Sequence, residues 1–279
     1  MRIRTVLHDH PLIAYFALAF GITWSGILLV LASVGFHTSA IGLAQIGLMF
    51  LAMAAGPSLS RSLLTLLIGG RAGVRELLAR LGRWRLGLGW YAIAVFTVPA
   101  LALTILSALA LTGSPAFTPS FAPIGFAIGL VAGFFEEIGW TGFALPRLQA
   151  RHSTFTAGLI LGVVWALWHI LADFAGNIDA MGAVWLPHFV VFWLAPLVAY
   201  RLLMTWVYKN TGSLLLAQLM HAAYTGSLLV FSPASASLGD NMIWQATFAL
   251  GLWLFVGLVA AAYRRGLARP AMDSTLRSS

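Results

Sequence analysis

Apolar stretches about 20 residues long recur along the whole chain, and they constrain it more than any other feature. At about 1.5 Å per helical residue, such a stretch crosses the roughly 30 Å hydrocarbon core of a bilayer. Eight segments fit: 11–34, 41–61, 90–112, 122–145, 155–172, 184–206, 213–231 and 242–263. Composition agrees. Hydrophobic residues make up 60% of the 279 residues and charged residues 9%, against about 45–50% and about 25% in soluble domains. Sixteen basic and eight acidic side chains cannot coat a soluble protein of this size. The absence of cysteine excludes disulfides and thiolate-ligated metals. The first segment is long for a signal sequence and has no convincing cleavage pattern, so it reads as a retained span. The expected fold is an all-α, polytopic integral membrane protein of about eight transmembrane helices.

Charge supplies the topology. Eight spans place both termini on one side, and the net charge of +8, which in a soluble chain would suggest nucleic acid, then sorts by side. Arg2 and Arg4 precede the first span, and Arg61, Arg71, Arg75, Arg80, Arg83 and Arg85 follow the second. Arg147 and Arg151 follow the fourth, Arg201 and Lys209 end the sixth, and Arg264, Arg265, Arg269 and Arg277 close the chain. Asp173, Asp179 and Asp240 fall in the opposite loops. By the positive-inside rule both termini are expected in the cytoplasm, at the plasma membrane if the source is bacterial. Between Arg71 and Arg85, Leu77, Leu78 and Leu81 alternate with arginines at helical spacing. That pattern predicts an interfacial helix between the second and third spans, lying on anionic headgroups; a basic loop anchoring the third span is the plain alternative.

Ionisable groups at membrane depth are costly and mark function. Here they are Glu136 and Glu137 in the fourth segment, His169 in the fifth and His221 in the seventh. Counted from Arg147 and Lys209, Glu136 and His221 lie about 16 and 18 Å deep, and His169 lies about 21 Å from Phe155 at the start of its segment. One turn of helix spans that range, so a single intramembrane site is permitted. Adjacent carboxylates point about 100° apart on a helix and are not expected to share a partner. One would face a cavity while the other is held from behind. Packing histidines or a proton relay would use the same residues, and Trp165, Trp168, Phe134 and Phe135 read as packing.

The run Phe134-Phe135-Glu136-Glu137-Ile138-Gly139-Trp140-Thr141-Gly142-Phe143, with Leu145-Pro146-Arg147-Leu148-Gln149 after it, resembles the first motif of the CPBP family. These are CAAX-processing and bacteriocin-processing intramembrane proteases, related to the type II CAAX prenyl endopeptidase. Trp165-Ala166-Leu167-Trp168-His169 resembles the second motif, and Gly212-Ser213 with Leu219-Met220-His221-Ala222-Ala223-Tyr224-Thr225 the third. Ala55-Gly56-Pro57, the arginine-rich connector and Trp90-Tyr91 look like the family's amino-terminal half. The resemblance thus runs from about residue 50 to 230. It divides the chain into an N-terminal transmembrane segment (1–40), a helical membrane domain (41–263) with the protease-like core at about 120–230, and a basic tail (264–279).

Two positions depart from the family pattern. Arg usually stands four residues after the second Glu, where it would sit over Glu137; here that residue is Thr141. The third motif usually carries Asn four residues after its His; here it is Thr225. The resemblance implies an intramembrane endopeptidase acting on a peptide or protein substrate at the bilayer, lipidated or not, with no role for nucleic acid. Its site would comprise Glu136, Glu137, His169, His221 and Thr225. Glu136 would take a proton from water, His169 would position that water or shuttle the proton, and His221 with Thr225 would point donors at the oxyanion. In a metalloprotease version, His169, His221 and Glu136 would hold a divalent ion such as zinc, with water as the fourth ligand. No Gly-x-Ser-Gly motif occurs, and Ser237-Leu238-Gly239-Asp240 is not an aspartyl-protease motif. The alternative function is that of a catalytically weak or inactive relative serving as an immunity or membrane-scaffolding protein.

Overall fold

Helices dominate because a backbone inside hydrocarbon must satisfy its own hydrogen bonds. The computed structural model describes residues 7–233 and 235–264. In chain order its helices are α1 (Pro11–Ser33), α2 (Leu43–Leu64), α3 (Gly70–Leu81), α4 (Leu88–Thr112), α5 (Ile124–Gly139), α6 (Leu145–Gln149), α7 (Thr154–Trp168), α8 (Ile170–Met181), α9 (Trp185–Phe189), α10 (Ala195–Thr211), α11 (Leu214–Val230) and α12 (Leu238–Arg264). Three π-helical turns interrupt the regular runs, at Thr65–Gly69, Trp140–Ala144 and Val190–Leu194. Arg2, Arg4, Arg265, Arg269, Arg277 and Asp273 lie outside the described residues.

Among the described residues, six helical runs are long and apolar enough to cross a membrane: Pro11–Ser33, Leu43–Ile68, Leu88–Thr112, Ile124–Gln149, Ile170–Thr211 and Leu238–Ala262. Thr154–Trp168 and Leu214–Val230 are apolar but shorter. The protein is a polytopic, all-α membrane protein. The expected fifth span, 155–172, is not one continuous helix. Its backbone breaks at His169, which ends α7 and begins α8, and whose N–H reaches back to the Ala166 carbonyl at 3.1 Å. The expected sixth span, 184–206, corresponds to the part of Ile170–Thr211 after Gly182, whose φ of +52° turns the chain.

Close backbone approach positions the helices that matter. Gly125, Gly129 and Gly133 recur every four residues on α5 and form the seam against α11. A Cβ on Gly133 would lie 2.4 Å from the Gln218 carbonyl oxygen, and one on Gly129 would lie 2.5 Å from that of Ala222. Small residues at this spacing let two membrane helices touch backbone to backbone, and α5–α11 is the most extensive helix pair in the bundle. Gly158 and Gly162 do the same for α7 on α10, where a Cβ on Gly162 would meet the Val198 Cα at 2.9 Å. The segment expected to lie in the interface folds as α3, with Val74 and Leu78 exposed one turn apart.

Candidate active site

The two glycine seams bring α5, α7, α10 and α11 around one buried polar cluster. Glu136 and Glu137 sit in the last turn of α5, immediately before the π-helical turn Trp140–Ala144. Such turns widen a helix and recur at functional sites. His221 projects from the middle of α11, and Trp165 from the α7 face that packs on it. Glu136, Glu137 and His221 are all buried.

Glu137 is held on every side. Arg201 of α10 donates two parallel hydrogen bonds to it, Nη1 to Oε2 and Nη2 to Oε1, each 2.8 Å. The Thr141 hydroxyl donates to Oε2, and His221 Nδ1 lies 2.8 Å from Oε1. The Arg201 guanidinium also rests over the Trp165 ring at 4.1 Å, a cation–π contact. Bidentate pairing with every remaining lone pair occupied is what allows an ion pair to be buried without large cost. The sequence placed Arg201 with the boundary residues at the end of the sixth span. In the fold it is fully buried and is not a boundary residue. Its signal was available: it lies eight residues before Lys209, about 12 Å deeper along the helix. Arg61, also read as a boundary residue, is likewise buried.

Glu136 has a looser environment. The Trp165 indole N–H donates to its Oε2 at 3.3 Å, and His221 Nε2 stands 3.8 Å from the same oxygen. That separation is beyond a direct hydrogen bond. His221 therefore lies between the two carboxylates, one ring nitrogen toward each, and the expectation that they would share no partner fails. The imidazole, with nitrogens on two sides of its ring, spans the angle that separates them. With Nδ1–H assigned as donor to the charge-paired Glu137, Nε2 is left as an acceptor facing Glu136.

His169 joins this cluster through Trp165. Its Nδ1 lies 2.8 Å from the Trp165 carbonyl oxygen, which assigns Nδ1 as the donor and leaves Nε2 free. The imidazole stacks on Trp193 with centroids 4.1 Å apart and meets Trp168 edge-on at 4.8 Å. Trp193 belongs to the π-helical turn Val190–Leu194 and is anchored by Asp173, whose Oδ1 accepts its indole N–H at 2.7 Å. Asp173 also accepts from Trp185 at 2.8 Å and from Asn177 at 2.9 Å. The sequence placed Asp173 in an outer loop. It is a buried residue of α8, one turn beyond His169, and its charge is spent on three side-chain N–H donors. Neither Asp173 nor Trp193 carried a motif that marked it.

Thr225 is half-buried one turn after His221, and its hydroxyl makes no hydrogen bond among the described residues. Phe134 and Phe135 are about half exposed on the outer face, while Trp165 and Trp168 are packed inside. Among the described residues no three His, Cys, Asp or Glu side chains are grouped to hold a metal ion. Glu136 and His221 offer two ligand atoms, but His169, pinned between Trp165 and Trp193, does not complete the set expected from sequence.

Residues 118–227 match the family model described as "Type II CAAX prenyl endopeptidase Rce1-like". The CAAX prenyl protease 2 of Methanococcus maripaludis is 33% identical over 115 residues, covering 39% of this chain and 41% of that protein. The chain thus spans less than half the length of the curated relative it matches. All three motifs fall inside 118–227, so the resemblance to CPBP and CAAX proteases holds over that segment. The family model does not extend to Ala55-Gly56-Pro57 or Trp90-Tyr91.

Proposed function

We propose that this multi-pass membrane protein is an intramembrane endopeptidase of the CAAX-processing type that hydrolyses a peptide bond with a water activated by Glu136. The observation that carries this reading is the unequal treatment of two neighbouring carboxylates. Glu137 is saturated by Arg201, Thr141 and His221, whereas Glu136 keeps lone pairs uncommitted beside an acceptor nitrogen of His221. One carboxylate is scaffold and the other is reagent.

A water held between Glu136 and His221 Nε2 would donate one hydrogen to each. As its oxygen attacks the scissile carbonyl carbon, one proton passes to Glu136. The carbonyl π electrons move to oxygen, and the oxyanion accepts a hydrogen bond from the Thr225 hydroxyl. On collapse the C–N bond breaks and Glu136 returns the proton to the leaving amine. In this scheme His221 accepts rather than donates at Nε2, because Nδ1 is committed to Glu137. His169 holds the Trp165 carbonyl through Nδ1 and so positions the indole that donates to Glu136. Arg201 in the position-141 role answers one of the two departures from the family pattern, which weakens the case for an inactive immunity or scaffolding relative.

The test is purified full-length protein with a panel of C-terminal peptides, lipidated and unmodified, with and without chelator, and products mapped by mass spectrometry. Endoproteolytic cleavage near the membrane-anchored end, unaffected by chelation, supports the reading. Abolition by chelator and recovery with zinc would replace the glutamate scheme with a metal one. No cleavage of any peptide by folded protein would favour the scaffolding alternative.

A further inference from the structure

Away from the glutamate cluster, a second polar cavity lies where α3 packs against the ends of α2 and α6. It has a volume of about 60 Å³ and is lined by Arg61, Arg80, Arg147, Glu76 and Gly142 among others. A cavity needs roughly 10–15 Å³ in this measure to hold one water, so the space admits a phosphate-sized group. Its charge is unbalanced, with three guanidiniums facing one carboxylate.

The pairing leaves two of the three cations uncompensated. Arg80 takes Glu76 one turn away and donates a second hydrogen bond to the Tyr208 hydroxyl at 2.9 Å. Arg147 is satisfied only by the Phe143 carbonyl at 3.0 Å and by stacking on the Phe143 ring. Arg61 is 4% exposed, its Nε has no partner, and its Nη1 reaches only the Ile138 carbonyl at 3.5 Å. Arg80 and Arg147 both repel it electrostatically. A buried guanidinium with an orphaned N–H beside two like charges is a site missing an anion.

The surroundings say which anion. Val74 and Leu78 on α3, Leu63 in the last turn of α2 and Leu66 in the π-helical turn after it are exposed hydrophobic side chains, each within two residues in sequence of one that lines the cavity. A free anion has no use for that apolar rim, but an acyl chain does. Gly73 lets α3 approach Thr65 so closely that a Cβ there would meet Thr65 Cγ2 at 2.9 Å, which closes the cavity from the helix side.

We propose that Arg61, Arg80 and Arg147 bind the phosphate of an anionic phospholipid, with its acyl chains lying along α3 and the end of α2. The bound phosphate supplies the counter-charge that Glu76 alone does not, and ties the interfacial helix to the helix bearing Glu136 and Glu137.

The test reads lipid binding and not cleavage, so it stands apart from the protease reading. Delipidated full-length protein in a neutral detergent is titrated with phosphatidylglycerol or phosphatidylcholine and followed by native mass spectrometry and thermal melting. The parent should retain phosphatidylglycerol and melt higher with it. Arg80→Gln/Arg147→Gln should weaken retention by roughly an order of magnitude or more. The control Arg71→Gln/Arg75→Gln removes two exposed charges from the same helix and should retain the lipid. Equal loss in the control would overturn the proposal in favour of diffuse surface attraction. Equal stabilisation by millimolar inorganic phosphate, or binding of a free-carboxylate peptide in place of the lipid, would overturn the lipid assignment. Arg147→Gln alone, assayed the same way, serves if the double variant does not fold.

Discussion

Arg201 and Glu137, 64 residues apart, meet in two parallel hydrogen bonds of 2.8 Å with neither side chain exposed. The Thr141 hydroxyl fills the remaining space beside Glu137 Oε2. A cation delivered from α10 thus pairs with the carboxylate that the resembled motif would pair with an arginine at position 141, in the π-helical turn after α5.

Removing that cation should be severe. Arg201→Met leaves a buried carboxylate unpaired, and we expect a loss of about 3–5 kcal/mol. Arg201→Lys should recover only part, because an ammonium cannot make the two-pronged contact. The pair replacement Glu137→Gln/Arg201→Met should be milder than Arg201→Met alone. Melting in detergent measures all three, and a double variant worse than the single would contradict the pairing.

Thr141→Arg tests the same relationship from the other side. Position 141 is fully buried and both Glu137 oxygens are already taken, so a second guanidinium should destabilise by several kcal/mol. In an Arg201→Met background the same change should stabilise, giving Glu137 an i,i+4 partner. Melting temperatures of the four proteins in this cycle decide it. Stabilisation by Thr141→Arg with Arg201 present would show that Glu137 has an unfilled side.

Much of this architecture was legible in the sequence, and the failures share a cause. The apolar segments, Glu136, Glu137, His169 and His221 are marked by local runs, and helix rise brought the last four to one depth. Arg201 was assigned to a boundary because an arginine near a span end usually is one, and its partner lies on another helix. Asp173 was assigned to a loop because nothing local announces the break at His169, which carries the chain on into α8. The Gly125–Gly129–Gly133 stripe was visible at a spacing of four residues, but its partner, α11, is set by tertiary packing alone.

That stripe predicts a steric response. Gly133→Ala puts a Cβ against backbone atoms of Gln218 and Ala222 that have no flexible end to move. The α5–α11 seam must open, at a cost of roughly 1–3 kcal/mol, and Glu137 must draw away from His221. Gly21→Ala, where a Cβ would meet nothing within 4 Å, should be nearly neutral. Melting together with cleavage rate checks this, and an unchanged Gly133→Ala would mean the seam is looser than described.

The Asp173 carboxylate reaches the His169 imidazole through Trp193. Asp173→Asn keeps the shape but supplies a single carbonyl acceptor where two indoles and an amide now donate. Trp193 should loosen, and kcat should fall by roughly 10–100-fold with KM little changed. Trp193→Phe keeps the stacking on His169 without the hydrogen bond and should lose less. A rise in KM at constant kcat would move Asp173 from positioning the imidazole to binding substrate.

If Glu136 activates the water, Glu136→Gln removes the group that takes its proton. The amide is nearly isosteric and still accepts from Trp165, so the bundle should fold and melt close to the parent, but it cannot take a proton. Single-turnover cleavage of a peptide that the parent cuts should fall by at least about 10³-fold, and adding His221→Ala should lower it little further, because the groups act as one unit. Cleavage by pure, folded Glu136→Gln at the parental rate would contradict the account.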